Sequence, residues 1–282
     1  MGVPYAEVIG DPIAHSKSPL IHQFWLDKLG LEGAYRATRI PSEALGEYFE
    51  DRAADPDWRG CNISMPHKLA ARSYVFYRQD PSFPLWPINL AYRDDDGSLK
   101  GDDFDGPGFV ASLMKLGASP GARAPAFAGK SGSALILGAG GAARLVAWGL
   151  AHFGYDPIWI HNRDKEKAER FASDYRAIGG RVLPEHAATP AVDLLVNATP
   201  LGMAGQPEAD IDIDPLPAHA IVYDLVYEPA ETGLLRRSRE RGLFTMNGLS
   251  MLVEQAAPSF RRLFGTMPPR EHDDELRELL TR

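Results

Sequence analysis

The chain has 282 residues, a hydrophobic fraction of 44% and a formal net charge of −8 at pH 7, which suit one or two ordinary globular domains. Its acidic balance and its lack of a block rich in Lys and Arg argue against nucleic acid or an anionic membrane as the main partner. The single cysteine, Cys61, excludes an internal disulfide and a thiolate metal cluster, and the eight histidines lack metal-ligand spacing, so no metal is predicted.

The N-terminal segment predicts a strand over residues 6–9, then a loop, then a helix that includes residues 22–29. Ser16 and Ser18 lie in the loop immediately before this helix. Two hydroxyls this close together can both donate to a carboxylate, and a helix N-terminus favours negative charge. The pair therefore indicates a carboxylate-binding site, although serines before a helix also serve simply as caps.

A glycine-rich turn in the middle of the chain is the most informative motif. An apolar run over residues 134–137 is followed by G-A-G-G-A-A at 138–143, and apolar residues then recur at helical spacing. This strand, turn and helix fit the G-x-G-x-x-A pattern that binds the pyrophosphate of a dinucleotide. The residues expected at the phosphates are Gly138, Ala139, Gly140, Gly141 and Ala142.

Further strands are predicted over residues 157–161, 193–197 and 220–226, with helices over 164–176 and 231–241. This alternation predicts a doubly wound parallel sheet of the Rossmann type, so the fold class is α/β. Ligands of such sheets bind at the carboxyl ends of the strands. We therefore expect one crevice lined by residues from three strand ends, namely Asn162, Arg163, Asn197, Ala198, Thr199, Pro200, Leu225, Val226 and Tyr227.

The end of the predicted strand over residues 157–161 bears on the choice of dinucleotide. Arg163 and Lys167, which follow Asn162, can bind the 2′-phosphate of NADP. Asp164 is open to two interpretations: it caps the helix that begins there, or it binds the ribose of NAD and repels a phosphate. NADP is the expected cofactor, and NAD is the alternative.

Blocks from both halves of the chain together resemble the shikimate dehydrogenase family. The blocks are GDPIAHSKSP at 10–19, GCNISMPHK at 60–68, Asn89, GDDFDG at 101–106, NATPLGM at 197–203 and NGLSMLVEQA at 247–256. They occur in the family's order over essentially the whole chain. The resemblance implies an α/β substrate domain over residues 1–105, completed by 250–282, and a dinucleotide-binding Rossmann domain over 106–249.

The resemblance also implies an activity and a set of site residues. The activity is the reversible reduction of 3-dehydroshikimate to shikimate by NADPH, in aromatic amino acid biosynthesis. Lys68 and Asp105 match the catalytic pair, and Leu225 and Gly248 border the nicotinamide. The implied substrate contacts are Ser16, Ser18, Asn62, Ser64, Asn89, Tyr227 and Gln255.

The catalytic pair also suits the chemistry on its own terms. As hydride reaches a carbonyl carbon, the oxygen becomes negative, so a cationic donor both stabilises the charge and supplies the proton. Lys68 can do both, and Asp105 can orient the ammonium group and accept a hydrogen bond from a substrate hydroxyl. Taken singly, each residue also fits an ordinary role, as a solvated lysine or a turn carboxylate.

Three blocks depart from the family pattern. N-I-S-M-P at 62–66 replaces N-V-T-x-P, W-P-I-N-L at 86–90 replaces G-A-V-N-T, and G-D-D-F-D at 101–105 replaces G-x-N-T-D. Alternate side chains of an extended segment point in opposite directions. Either Leu90 and Phe104 pack behind the site while Asn89 and Asp105 face it, or the pocket has changed its ligand.

Two alternatives to a shikimate dehydrogenase therefore stay open. One is a quinate-type or aminoshikimate-type dehydrogenase that uses NAD or NADP. The other is a non-catalytic dinucleotide-binding regulatory protein, against which the retention of Lys68 and Asp105 argues. No apolar stretch reaches about 18 residues and no signal pattern begins the chain, so a cytoplasmic protein is predicted, either a monomer or a homodimer.

Overall fold

The computed structural model describes residues 2–77, 87–118, 132–176, 179–184 and 187–281. They form two compact units. The first comprises Met1–Phe104 and Leu252–Arg282, and the second comprises Asp105–Met251. The second unit thus begins one residue before the range 106–249 expected for the Rossmann domain, and it ends two residues after it.

The strands and helices follow one another along the chain in a largely alternating order. The strands are β1 (Tyr5–Gly10), β2 (Ala34–Arg39), β3 (Trp58–Ile63), β4 (Leu90–Arg93), β5 (Leu99–Asp102), β6 (Ala134–Leu137), β7 (Ile158–His161), β8 (Gly180–Val182), β9 (Leu194–Asn197), β10 (Ile221–Asp224) and β11 (Phe244–Met246). The α-helices are α1 (Ser18–Leu29), α2 (Leu45–Ala54), α3 (Asp105–Ala118), α4 (Gly141–His152), α5 (Lys165–Asp174), α6 (Gly233–Glu240), α7 (Leu249–Phe264) and α8 (Asp273–Thr281).

The first unit contains a five-stranded sheet in the order β2-β1-β3-β4-β5. Strands β1, β2 and β3 are parallel, and β4 is antiparallel to both β3 and β5. Successive side chains of a strand point to opposite faces. Accordingly Ile9 packs with Tyr48 and Phe49 of α2 in one apolar cluster, whereas Val8 packs with Leu263 of α7 in another.

The second unit contains a six-stranded parallel sheet in the order β11-β10-β9-β6-β7-β8. All four residues of β6 are buried, as expected for a central parallel strand covered on both faces. Leu135 and Val222 pack with Leu234 of α6 in one apolar cluster. The predicted α/β class with a doubly wound sheet is confirmed.

Strand β10 is shorter than the predicted range 220–226. It ends at Asp224 because the N–H of Val226 then donates to the side chain of Asp224, at 3.0 Å, instead of to a neighbouring strand. Within the described ranges, none of the helices is long and apolar enough to cross a membrane, and no group of His, Cys, Asp and Glu is arranged to hold a metal ion.

Candidate active site

The first glycine of the predicted turn has a backbone conformation that favours glycine. Gly138 has a φ of +110°, and its N–H donates to the carbonyl of His161 at 2.8 Å. A Cβ atom there would lie 3.0 Å from Cγ2 of Thr199, so close packing also requires glycine. At Gly140, by contrast, an added Cβ atom would meet no described atom within 4 Å. The turn therefore leaves open space beside Gly140.

Helix α4 begins directly after this open position. Its N-cap residue, Gly140, is extended and forms no side-chain cap, and the first turn of the helix contains no acidic residue. The first N–H groups of a helix lack intrahelical acceptors and favour an anion. Ala143 is fully buried, so a small side chain lets the helix pack closely. The turn and the helix together fit the pyrophosphate of a dinucleotide.

The predicted strand ends lie at one edge of the second sheet, because β7, β6, β9 and β10 are parallel neighbours. Asn162 and Leu225 directly follow two of these strands. Thr199 is held at the same edge by Asn197, whose Oδ1 accepts from the N–H of Thr199 at 3.1 Å and from its hydroxyl at 2.6 Å. The structure thus groups the three strand ends as the sequence predicts.

The side chain of Asp164 caps a helix, which is one of the two interpretations left open above. Its Oδ1 accepts from the N–H of Lys167 at 3.1 Å at the start of α5, and its Oδ2 lies 3.4 Å from Nζ of Lys167. The backbone hydrogen bond, aided by the lysine charge, lowers the pKa of Asp164. Arg163 is exposed and pairs with no carboxylate in the described part of the chain. Arg163 is therefore the more available cation for a 2′-phosphate.

Gly248 packs against the backbone that follows β10. Its N–H donates to the carbonyl of Val226 at 3.0 Å, and an added Cβ atom would collide with the carbonyl oxygen of Leu225. Only glycine allows this approach. The two residues that the resemblance assigns to the nicotinamide, Leu225 and Gly248, thus lie in direct contact, and the half-buried Tyr227 follows in the same segment.

A buried carboxylate at the end of β10 was not found by the sequence analysis. Asp224 is fully buried, and its Oδ1 accepts from the N–H of Val226 at 3.0 Å and from Nδ2 of Asn197 at 2.9 Å. Its Oδ2 accepts from the hydroxyl of Thr232 at 2.6 Å. Burial is the main cause that raises the pKa of Asp224 to about 6. The only sequence signal was an acidic residue inside an apolar strand.

In the first unit, the predicted substrate residues lie at one edge of the five-stranded sheet. The carboxyl ends of β1, β3 and β5 and the start of β4 share this edge, because β4 runs against both of its neighbours. The N–H of Ser64 donates to the carbonyl of Ile9 at 2.8 Å, and the N–H of Ile88 donates to the carbonyl of Lys68 at 3.0 Å. These bonds hold the loop with Ser64 and Lys68 between the end of β1 and the start of β4.

The two serines of the N-terminal loop lie at the start of α1. Ser18 is the first helical residue and is buried, and its N–H donates to Oγ of Ser16 at 3.3 Å. The helix has neither a side-chain cap nor an acidic residue in its first turn. Nζ of Lys17 donates to the carbonyl of Leu280 at 2.6 Å, which ties this loop to α8. The uncapped helix start suits a carboxylate ligand.

The buried amide of Asn62 bonds to the protein through both of its ends. Its Oδ1 accepts from the hydroxyl of Tyr35 at 2.7 Å, and its Nδ2 donates to Oγ of Ser259 at 3.0 Å and to the carbonyl of Asn89 at 3.3 Å. Burial raises the pKa of Tyr35, so its hydroxyl stays protonated and donates. Asn62 therefore supports its neighbours, and its direct contact with substrate stays a prediction.

Asn89 joins two distant blocks of the sequence. Its Nδ2 donates to Oε1 of Gln255 at 3.0 Å, and its Oδ1 accepts from the N–H of Phe104 at 2.9 Å. Nε2 of Gln255 donates to the carbonyl of Leu252 within α7. Two predicted substrate contacts are thus oriented by one another and by the backbone just before Asp105.

Two of the departures from the family pattern, Leu90 and Phe104, are apolar packing residues. Leu90 is fully buried, and it packs with Phe104 in the cluster that also contains Tyr35. Asn89 points the other way, to Gln255, so the predicted alternation is confirmed for the pair Leu90 and Asn89. Trp86, from the same block, lies outside the described residues.

The two residues predicted to be catalytic belong to different units. Lys68 is half-buried in the first unit, and Asp105 is 6% exposed at the start of α3 in the second. A carboxylate in the first turn of a helix also interacts favourably with the helix dipole. Asp105 therefore has a part in starting its helix besides the predicted part in catalysis.

Comparisons with known proteins decide the family. Residues 8–80 match the shikimate dehydrogenase substrate binding domain, 124–200 match shikimate / quinate 5-dehydrogenase, and 248–273 match the shikimate 5′-dehydrogenase C-terminal domain. Over 277 residues the chain is 48% identical to the shikimate dehydrogenase (NADP(+)) of Sphingopyxis alaskensis, in a match that covers 98% of this chain and 97% of that protein. The chain belongs to the shikimate dehydrogenase family.

Other members of the shikimate dehydrogenase family agree over nearly the whole length. The shikimate dehydrogenase (NADP(+)) of Methylobacterium radiotolerans is 43% identical over 95% of this chain and 94% of its own. The crystal structure of shikimate 5-dehydrogenase from Thermus thermophilus, in complex with NADP(H) and shikimate, matches with a TM-score of 0.81 at 34% identity, over 98% of this chain and 99% of that one. The predicted family, enzyme class and NADP cofactor are confirmed.

Proposed function

We propose that this chain is an NADP-dependent shikimate dehydrogenase that reversibly reduces 3-dehydroshikimate to shikimate. The observation that carries the proposal is the grouping of motif residues from four separate blocks at one sheet edge of the first unit. A member of the shikimate dehydrogenase family with these residues in place has the donors that a carboxylate and several ring hydroxyls require.

The first unit binds the substrate in this proposal. Ser16 and Ser18 donate to the substrate carboxylate, because they lie at a helix start that has no cap of its own. Ser64, Asn89 and Gln255 hold ring hydroxyls, and the bond between Asn89 and Gln255 fixes the orientation of both amides. Tyr227, from the second unit, is a further proposed substrate contact.

Lys68 carries the proton. In the reductive direction its ammonium group donates a proton to the carbonyl oxygen as that oxygen becomes negative, and in the reverse direction the neutral amine takes the proton back. The backbone of Lys68 is fixed by the bond from Ile88, which holds the lysine at the start of β4 next to Asn89. Asp105 orients the ammonium group and accepts a hydrogen bond from a substrate hydroxyl.

The second unit holds the dinucleotide. Bound NADPH supplies the hydride. Gly138, Ala139, Gly140, Gly141 and Ala142 form the turn and the helix start that hold the pyrophosphate, and Arg163 and Lys167 bind the 2′-phosphate beside Asn162 and Asp164. Thr199, Leu225 and Gly248 complete the binding edge.

The reaction is tested by mixing the purified protein with shikimate and NADP+ and following the absorbance of NADPH. We expect turnover that requires both compounds, with 3-dehydroshikimate as the product. The absence of turnover with shikimate, together with turnover of quinate, would favour the quinate-type alternative. Binding of NADP+ without turnover of either acid would favour a non-catalytic protein.

A further inference from the structure

Asp224 has a setting that the proposed reaction does not by itself explain. Its carboxylate is fully buried, and its hydrogen-bond partners among the described residues are all neutral donors: an N–H of Val226, the amide of Asn197 and the hydroxyl of Thr232. Burying a carboxylate without a cation beside it is costly, and burial accordingly raises the pKa of Asp224. An apolar residue would fit this buried position at lower cost.

The three partners lie on three different elements. Asn197 ends β9, Val226 follows β10, and Thr232 is the N-cap of α6, where its Oγ1 also accepts from the N–H of Leu235 at 3.3 Å. One carboxylate therefore links the start of a helix to the segment over residues 225–227. This segment contains the proposed nicotinamide neighbour Leu225 and the proposed substrate contact Tyr227.

Two backbone hydrogen bonds, one on either side of it, also hold the peptide between Leu225 and Val226. The N–H of Leu225 donates to the carbonyl of Asn197 at 2.9 Å, and the carbonyl of Val226 accepts from Gly248 at 3.0 Å. Asp224 supplies the acceptor for the remaining N–H of Val226. Without it, that N–H would be buried without this acceptor, and the peptide between Leu225 and Val226 would lose the hydrogen bond that fixes its orientation.

We propose that Asp224 is a positioning residue for the nicotinamide end of the dinucleotide site, and that it acts by fixing residues 225–227 against the start of α6. The inference rests on the proposed function. The adenosine half of the cofactor depends on other contacts: the glycine turn is built by Gly138, and Thr199 is held by Oδ1 of Asn197, whose Nδ2 also donates to the carbonyl of Leu201 at 3.0 Å and so stays held when Asp224 is changed.

The test compares two ligands by isothermal titration calorimetry. NADP+ carries the nicotinamide, whereas adenosine 2′,5′-bisphosphate carries only the adenosine half with its phosphates. For Asp224→Asn we expect the Kd of NADP+ to rise about tenfold, the loss expected for one buried hydrogen bond to a charged group, while the Kd of the bisphosphate stays within about twofold of wild type. Asparagine has nearly the same volume as aspartate, but its amide nitrogen replaces one of the two oxygens that accept hydrogen bonds from Val226, Asn197 and Thr232.

Variants of Thr232, the N-cap of α6, provide a second test in which Asp224 itself is unchanged. Thr232→Val removes the hydroxyl bound to Asp224, and Thr232→Ser restores a hydroxyl. Ser238→Ala is the matched control, because Ser238 is a fully buried hydroxyl of the same helix that donates to the carbonyl of Leu234. We expect Thr232→Val to weaken NADP+ selectively, and Thr232→Ser and Ser238→Ala to bind both ligands as wild type does.

The outcomes separate this inference from the proposed function. If wild type binds NADP+ and oxidises shikimate, but Asp224→Asn binds NADP+ normally or loses both ligands equally, the positioning role is wrong and the proposed function stands. If the variant fails to fold, the Thr232 series decides by the same comparison. If wild type binds neither ligand, both the proposed function and this inference are wrong.

Discussion

Nδ2 of Asn89 donates a hydrogen bond to Oε1 of Gln255 at 3.0 Å, which joins two buried residues 166 positions apart in the sequence. Two further hydrogen bonds extend from Asn89. Its backbone carbonyl accepts from Nδ2 of Asn62, and Oδ1 of Asn62 accepts from the hydroxyl of Tyr35. The proposed substrate residues Asn89 and Gln255 thus belong to a row of buried hydrogen bonds that includes the backbone of Asn89. Removing a distant member of the row should disturb substrate binding and leave cofactor binding intact.

Tyr35→Phe removes the last donor of this row. The change leaves Oδ1 of Asn62 buried without that donor, so we expect a loss of about 1 to 3 kcal/mol of stability and a severalfold rise in KM for shikimate. The Kd of NADP+ should not change. Tyr92→Phe is the control, because Tyr92 packs in the same apolar cluster and is similarly buried. Equal effects on KM from both variants would contradict the positioning role.

Lys68→Ala should abolish most turnover while barely changing the affinity for NADP+. The loss in kcat should be about 10² to 10⁴-fold, the range for a positioned general acid. Steady-state kinetics and a cofactor titration measure the two quantities. Near-normal kcat in the variant would remove Lys68 from the chemistry.

Asp105→Asn should lower kcat and kcat/KM together if the carboxylate acts mainly in the transition state. Asp103→Asn is the matched control, since the two carboxylates are almost equally buried, at 6% and 7% exposure. Asp103 also stands where the family carries asparagine. A larger loss of kcat at Asp103 than at Asp105 would show that the other carboxylate is catalytic.

Arg163→Ala should reduce the preference for NADPH over NADH by about tenfold, because a charge-assisted bond to the 2′-phosphate is lost. Asp164→Ser should increase the preference, since serine can still cap α5 while the negative charge beside Lys167 disappears. The measurement is the ratio of kcat/KM for the two cofactors. A wild type that favours NADH would contradict the predicted role of Arg163.

The buried ring of His22 should make stability depend on pH. Burial lowers the pKa of His22 from its ordinary value of 6.5 to about 3, so below pH 6.5 the unfolded chain binds a proton that the folded chain does not. Stability from this group is therefore complete above pH 6.5 and falls by about 1.4 kcal/mol per pH unit below it. Urea unfolding at pH 7 and pH 5 measures the loss.

His22→Phe serves as the control for that measurement. Phenylalanine keeps the stacking on Tyr35, whose ring centroid lies 4.0 Å from that of His22. We expect the free energy of unfolding of wild type to fall by about 2 kcal/mol more than that of the variant between pH 7 and pH 5. The two proteins contain the same carboxylates, so the contributions of these groups cancel in the comparison. An equal loss in both would mean that the ring of His22 protonates in the folded state.

The elements that the sequence predicts most accurately are those marked by a local pattern of residues. Strand β6 was predicted at its observed bounds, because a strand buried on both faces is a continuous apolar run and the glycine turn ends it. Strands β8 and β11 are not predicted, since each has three residues, none of them buried, and such a short segment carries no periodic pattern.

The residues that support the site could not be predicted from the sequence for a different reason. Tyr35 meets Asn62 across 27 positions, and Asn62 meets Ser259 across 197. Such pairs leave no trace in local spacing or hydrophobic period. Asp164, by contrast, was correctly recognised as a possible cap, but its neutralisation of Lys167 depends on side-chain geometry that spacing alone does not fix.

The most direct test of the account compares four specificity constants of the wild-type protein: kcat/KM for shikimate and for quinate, each with NADP+ and with NAD+. We predict that shikimate with NADP+ gives the highest value, because the chain is 48% identical to a shikimate dehydrogenase (NADP(+)) over nearly its whole length and Arg163 is available to the 2′-phosphate. A higher value for quinate or for NAD+, or no turnover in any of the four combinations, would contradict it.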